Sequence, residues 1–167
     1  MTKIRFFLVD RITRFDVGSS VEGIKCCTLS DDIFEQHFPG HPIVPGVFII
    51  ESMAQLLGLL IEKSYSRMYP HEPGVYAVLS IVHKAKFKKF VVPGDQTRMV
   101  GELVKLDKTH GNGEVKVYVG ERFCAHAELS YLLASKENLL NSRLSRMQDE
   151  YFDILTRHMT PDDHSDS

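Results

Sequence analysis

Residues 47–61, VFIIESMAQLLGLLI, form a run of 15 positions in which the polar side chains are Glu51, Ser52 and Gln55. A helix apolar on nearly every side must be enclosed, so the rest of the chain has to supply a wrapping layer. A membrane span needs about 20 predominantly apolar residues, and this run is shorter and carries a carboxylate. It reads as the buried helix of a folded domain, from about Gly46 to Lys63 or a little beyond.

The wrapping layer reads as strands. KIRFFLVDRI (3–12) and VEGIKCCTL (21–29) are separated by a Gly-Ser turn at Gly18 to Ser20. Beyond a break at Pro70 to Gly74, strand-like runs occupy 75–82, 83–90, 97–106, 114–119 and 122–133. Turn residues at Pro93-Gly94, Gly111 to Gly113 and Gly120-Glu121 separate the later runs. Mostly hairpin joins make an antiparallel sheet, so the predicted class is α+β, a curved antiparallel sheet around one central helix.

A second helix is expected from about Ser135 to His158. Leu140, Leu144, Met147, Tyr151 and Leu155 form one apolar stripe at spacings of four, three, four and four. The organisation is therefore a domain over 1–134, a helical extension over 135–159 and a disordered tail over 160–167.

Net charge is −2, which argues against a non-specific nucleic-acid binder. The three cysteines, Cys26, Cys27 and Cys124, make neither a disulfide framework nor a CxxC zinc pair, which fits a reduced, cytoplasmic setting. The apolar run in MTKIRFFLVDR is too short for a signal peptide, because Asp10 and Arg11 end it.

The segment before the helix, HFPGHPIVPG (37–46), concentrates the chemistry. Pro39 and Pro42 stiffen the loop, so the His37 imidazole is held in place at little further entropic cost. Histidine titrates near neutrality and is the usual general base. Pro45-Gly46 opens the helix, whose first N–H groups lack intrahelical partners, and Gly46 lets a carbonyl approach closely, a geometry suited to an oxyanion. Glu51 and Gln55, four apart, share one face. Among apolar neighbours the charged carboxylate is disfavoured, which keeps a proton available for general-acid work.

Each feature alone has a bland reading: a polar loop histidine, or a glutamate that is surface-facing or structurally hydrogen-bonded. The stiff loop, helix start and buried carboxyl together favour a catalytic site. His37 and His41 have H-x3-H spacing, but Pro39, Gly40 and Pro42 exclude a helix there, so a zinc site is not expected.

The segment HFPGHPIVPGVFIIESMAQ (37–55) resembles the signature of the FabZ-type β-hydroxyacyl-acyl carrier protein dehydratases, whose fold is the hotdog. FFLVDRI (6–12), AKFKKFVVPGDQ (85–96) and VYVGERFCAHAELSYLLA (117–134) extend the likeness over roughly residues 4 to 134. The resemblance implies that His37 removes the α-proton of a 3-hydroxyacyl thioester and that Glu51 helps expel the β-hydroxyl as water. It further implies that the Gly46 N–H holds the thioester carbonyl and that Gln55 orients the carboxyl. The sister FabA type has aspartate in place of the glutamate, so Glu51 implies dehydration without isomerisation. No metal or organic cofactor is implied. The implied partners are an acyl carrier protein and a second copy of the chain, in a two-fold dimer where His37 of one chain faces Glu51 of the other. A trimer of such dimers stays open.

Three features depart from the pattern. MTKIRFF leads almost directly into the first strand, where the family usually has a short helix and an HRYPF-like segment. His83 stands where an acidic residue is usual, and residues 135–167 run beyond the usual end. A dedicated polyketide, polyene or lipid-assembly role is thus as plausible as housekeeping fatty-acid synthesis. In HKAKFKKF (83–90), Lys84, Lys86 and Lys88 share a strand face, suiting either solvent or an acidic carrier protein, with Arg98 a weaker addition. The rival readings are a hotdog thioesterase acting on acyl-ACP or acyl-CoA, and a non-catalytic partner subunit.

Overall fold

The computed structural model describes residues 6–35, 37–137 and 142–159, with side chains of the last segment described from Asp149 onward. Among these residues six strands and two α-helices follow in the order β1 (Arg11–Asp16), β2 (Ser20–Cys26), α1 (Gly46–Met68), β3 (Val75–Phe87), β4 (Gln96–Leu106), β5 (His110–Val119), β6 (Arg122–Ser135) and α2 (Ser142–Thr156), with a short 3-10 turn at Asp32–Phe34 before α1. The strands form one sheet in the order β1-β2-β4-β5-β6-β3, and every pairing is antiparallel. It curves around α1, as the apolar run required.

The core lies between α1 and the concave face of the sheet. Met53, Leu56, Leu57, Leu60 and Ile61 are fully buried, against Val21, Met99, Val115 and Leu129 from the strands. Each such side chain stabilises the fold by about 1.5–3 kcal/mol through burial alone. Tyr131 reaches across from β6, and its hydroxyl donates to the Ala54 carbonyl at 2.9 Å.

Several sequence expectations need correction. The first strand begins at Arg11, not Lys3. The preceding described residues run beside α1, where Gln55 Oε1 accepts the Leu8 N–H at 2.7 Å and Gln55 Nε2 donates to the Phe6 carbonyl at 3.3 Å. The two runs 75–82 and 83–90 are one strand, β3, which absorbs irregularities between Leu79 and Ile81 and between Val82 and Lys84. Gly111 and Gly113 lie inside β5, and the connection is 107–109. They are strand positions because a Cβ on Gly113 would meet the Glu102 carbonyl and Leu57, and one on Gly111 would meet Ile61 at 3.0 Å. Helix α1 continues to Met68, carrying the buried Tyr65 into its last turn.

Helix α2 spans Ser142–Thr156, shorter than the expected 135–158, because β6 takes the chain to Ser135. It lies over β1 and the far half of α1. Leu155 is fully buried, Tyr151 packs on Phe7 with ring centroids 3.7 Å apart, and Phe152 meets Phe15 edge-on. Lys63 of α1 sits 3.7 Å from Asp149 and over the Phe152 ring. Leu140 and the tail 160–167 lie outside the described residues.

The two sheet edges are unlike. β1 is accompanied by α2, whereas β3, packed on α1 along one face, exposes Val78, Ile81 and Val82 at its outer edge.

Candidate active site

The loop 37–45 folds on itself through reciprocal backbone bonds. Phe38 and His41 exchange N–H and C=O at 3.1 and 2.9 Å, and Ile43 N–H donates to the His37 carbonyl at 2.9 Å. The Ile43 carbonyl in turn accepts from His37 Nδ1 at 3.0 Å. That bond requires the Nδ1–H tautomer, so Nε2 keeps the lone pair and is the basic atom. The His37 ring also stacks on Phe38, with centroids 4.1 Å apart. Val44 N–H donates to the Val91 carbonyl at 2.8 Å, fastening the loop to the segment after β3.

Helix α1 begins where the sequence placed it. The Pro45 carbonyl takes the N–H groups of Phe48 and Ile49, and no side chain caps the start. The Gly46 N–H therefore faces outward with the positive end of the helix dipole behind it. The Phe87 ring lies 3.0–3.3 Å from where a Gly46 Cβ would stand, so a side chain there would displace the ring.

One turn on, Glu51 and Gln55 stand on the same face. Gln55 Nε2 donates to Glu51 Oε1 at 2.8 Å while its carbonyl oxygen holds Leu8 N–H. The carboxyl is thereby fixed through Gln55 to the segment entering β1. Glu51 opens onto a cleft of about 170 Å³ between α1, β3 and β6, with Phe7, Gly58, Leu59, Ala77 and Tyr131 among its walls. Burial, and then the charge of Glu51, pushes the Tyr131 phenol well above its ordinary range, so it stays protonated and donates to Ala54.

The structure thus brings Glu51, Gln55 and the cleft together within one chain. His37 is not part of that cleft, and no hydrogen bond or ion pair joins it to Glu51 among the described residues. Sequence reasoning missed Glu62 and Tyr131 in the cleft. Glu62 was legible in principle: positions 51, 55, 58 and 62 fall on one helical face.

Lys84 and Lys86 are exposed on β3, and Lys84 reaches Glu128 at 3.4 Å. Lys88 follows the strand, its N–H bonded to the Cys124 carbonyl. Arg98 lies on β4, three strands from β3, against Glu22 at 3.3 Å and over the Tyr118 ring. Among the described residues no three His, Cys, Asp or Glu side chains gather as a metal site would require, and no helix is long and apolar enough to cross a membrane.

A helix wrapped by a curved antiparallel sheet, with a histidine loop before it and a glutamate inside it, defines a FabA-like domain, and residues 1–128 match that family model. The chain belongs to the FabA-like family. It is 40% identical over 131 residues to the 3-hydroxyacyl-[acyl-carrier-protein] dehydratase FabZ of Desulforamulus reducens, covering 78% of this chain and 89% of that one. Among solved structures it is similar to the dehydratase heterocomplex ApeI:P from Xenorhabdus doucetiae, with a TM-score of 0.63, 18% identity, and 80% and 86% of the two chains covered. It is also similar to a hypothetical thioesterase with coenzyme A from Streptococcus pneumoniae, with a TM-score of 0.59, 15% identity, and 75% and 85% covered. These structural likenesses establish the hotdog fold.

Proposed function

We propose that the protein dehydrates (3R)-hydroxyacyl-ACP to trans-2-enoyl-ACP in fatty-acid or related polyketide or polyene assembly. The observation that carries this reading is the anchoring of both acid–base groups by the backbone: His37 through Nδ1 to Ile43, and Glu51 through Gln55 to Leu8. His37 Nε2 takes the α-proton, and the electron pair moves toward the thioester carbonyl, whose oxygen is held by the Gly46 N–H at the helix start. As the Cα–Cβ double bond forms, the C–O bond to the β-hydroxyl breaks and Glu51 supplies the proton that makes the leaving group water.

With no hydrogen bond or ion pair between His37 and Glu51 among the described residues, the site we propose is completed by a second copy in a two-fold dimer. Supporting this, the long β3 edge exposes Val78, Ile81 and Val82, while Phe38, Val47, Phe87 and Phe90 leave an apolar rim around the start of α1. The substrate's acidic carrier docks on Lys84, Lys86 and Lys88; Arg98, engaged by Glu22, contributes less. The setting is the cytoplasm, where such carriers and reduced thiols occur.

The test is incubation with 3-hydroxyacyl-ACPs of several chain lengths and identification of products by mass. Loss of one water with the thioester intact supports the proposal. Release of free carrier thiol without enoyl product would identify a thioesterase, and no change with any length would indicate a non-catalytic subunit.

A further inference from the structure

Below Glu51, the cleft follows α1 past Gln55 and Gly58 to Glu62, which is only 9% exposed. Eleven residues of helix separate the two carboxylates, about 16 Å along the axis. Between them the lining is small or apolar, from Ala54, Gly58, Leu59 and Ala77. Glu62 Oε1 accepts the Ala77 N–H of β3 at 2.9 Å, so the side chain spans from α1 to the sheet.

Leu59 and Glu62 also line a second cavity of about 70 Å³ between α1 and α2, whose other walls include Lys63, Lys136 and Asp149. Glu62 therefore stands between the cleft and a second chamber that mixes charged walls with Leu59, Val75 and Phe152. We infer that Glu62 is the end-stop of the acyl cleft and sets the longest chain that the protein accepts. An apolar chain end gains by burial as it advances, until it meets a carboxylate that it cannot hydrogen-bond and whose polar surroundings it would strip. With Glu62 replaced, the chain end would run on against Leu59, Val75 and Phe152 of that second cavity. The inference rests on the dehydratase reading for the identity of the ligand as an acyl chain.

The test uses binding, so that it stands apart from turnover. A ladder of non-reactive 3-hydroxyacyl pantetheine thioethers of increasing length is titrated into the wild-type protein, Glu62→Gln and Glu62→Leu. Affinity in the wild type should rise about fourfold per methylene and then level or fall at a definite length. Both variants should move that break to longer chains. Glu62→Gln keeps an oxygen for the Ala77 N–H, which guards against reading a folding defect as a change of specificity. The same break in all three proteins, or no break in the wild type, overturns the inference. If the break moves but the wild type forms no enoyl product, the dehydratase reading falls and the end-stop stands.

Discussion

Gln55 donates its amide to Glu51 at 2.8 Å while its carbonyl oxygen takes the Leu8 N–H at 2.7 Å, so one side chain ties the acid to the strand entry. Gln55→Ala frees the carboxyl and leaves the Leu8 N–H without its partner. A misplacement of about 1 Å can cost about 10²-fold in rate, and kcat should fall by that order with a smaller change in KM. The unpaired backbone group should also cost about 1–3 kcal/mol, read as a lower Tm. A variant with unchanged kcat would show that Glu51 needs no such clamp.

Glu51→Gln retains the shape and can still accept the Gln55 amide, but has no proton to give to a departing hydroxyl. Turnover should drop by about 10²–10⁴-fold at unchanged Tm. Near-normal turnover in Glu51→Gln would remove Glu51 from the mechanism.

Reversal of Lys84, Lys86 and Lys88 to Glu should raise KM for acyl-ACP and spare a small acyl thioester. Because Lys84 already meets Glu128, reversing it also sets two like charges together, so Lys86→Glu with Lys88→Glu is the cleaner pair. For the wild type, the KM for acyl-ACP should rise with salt. Equal loss on both substrates would remove the carrier from this surface.

Leu155 is 1% exposed and joins α2 to the core. Leu155→Ala should destabilise the fold by about 2–4 kcal/mol, a Tm drop on the order of 4–16 °C at this size. An unchanged Tm would make α2 an independent appendage. The same substitution should loosen Phe7, a wall of the cleft that Tyr151 backs.

Where one residue carried both a periodicity and a chemical reason, the structure was legible in the sequence. The apolar surround of α1 required a wrapping sheet, and Pro45-Gly46 marked the helix start to the residue. Glu51 and Gln55, four apart, meet as helix geometry dictates. The failures share a cause: the deciding partner lay far away in sequence. Leu8 reads as strand, but its N–H is claimed by Gln55, 47 positions later. Gly111 and Gly113 read as turn residues, but they are glycines because Ile61, Leu57 and Glu102 crowd them. Sequence reasoning passes over Glu62, because its partner, the Ala77 N–H, comes 15 positions later.

A site made by His37 of one chain and Glu51 of another is tested directly by mixing. His37→Ala and Glu51→Ala proteins, each inactive alone, are combined under conditions where subunit exchange is independently verified. A mixed dimer then holds one site with both residues intact and one with neither, so random exchange should restore enoyl-ACP formation to about a quarter of the wild-type level. Activity that stays at the level of the separate variants, despite complete exchange, would contradict the shared site.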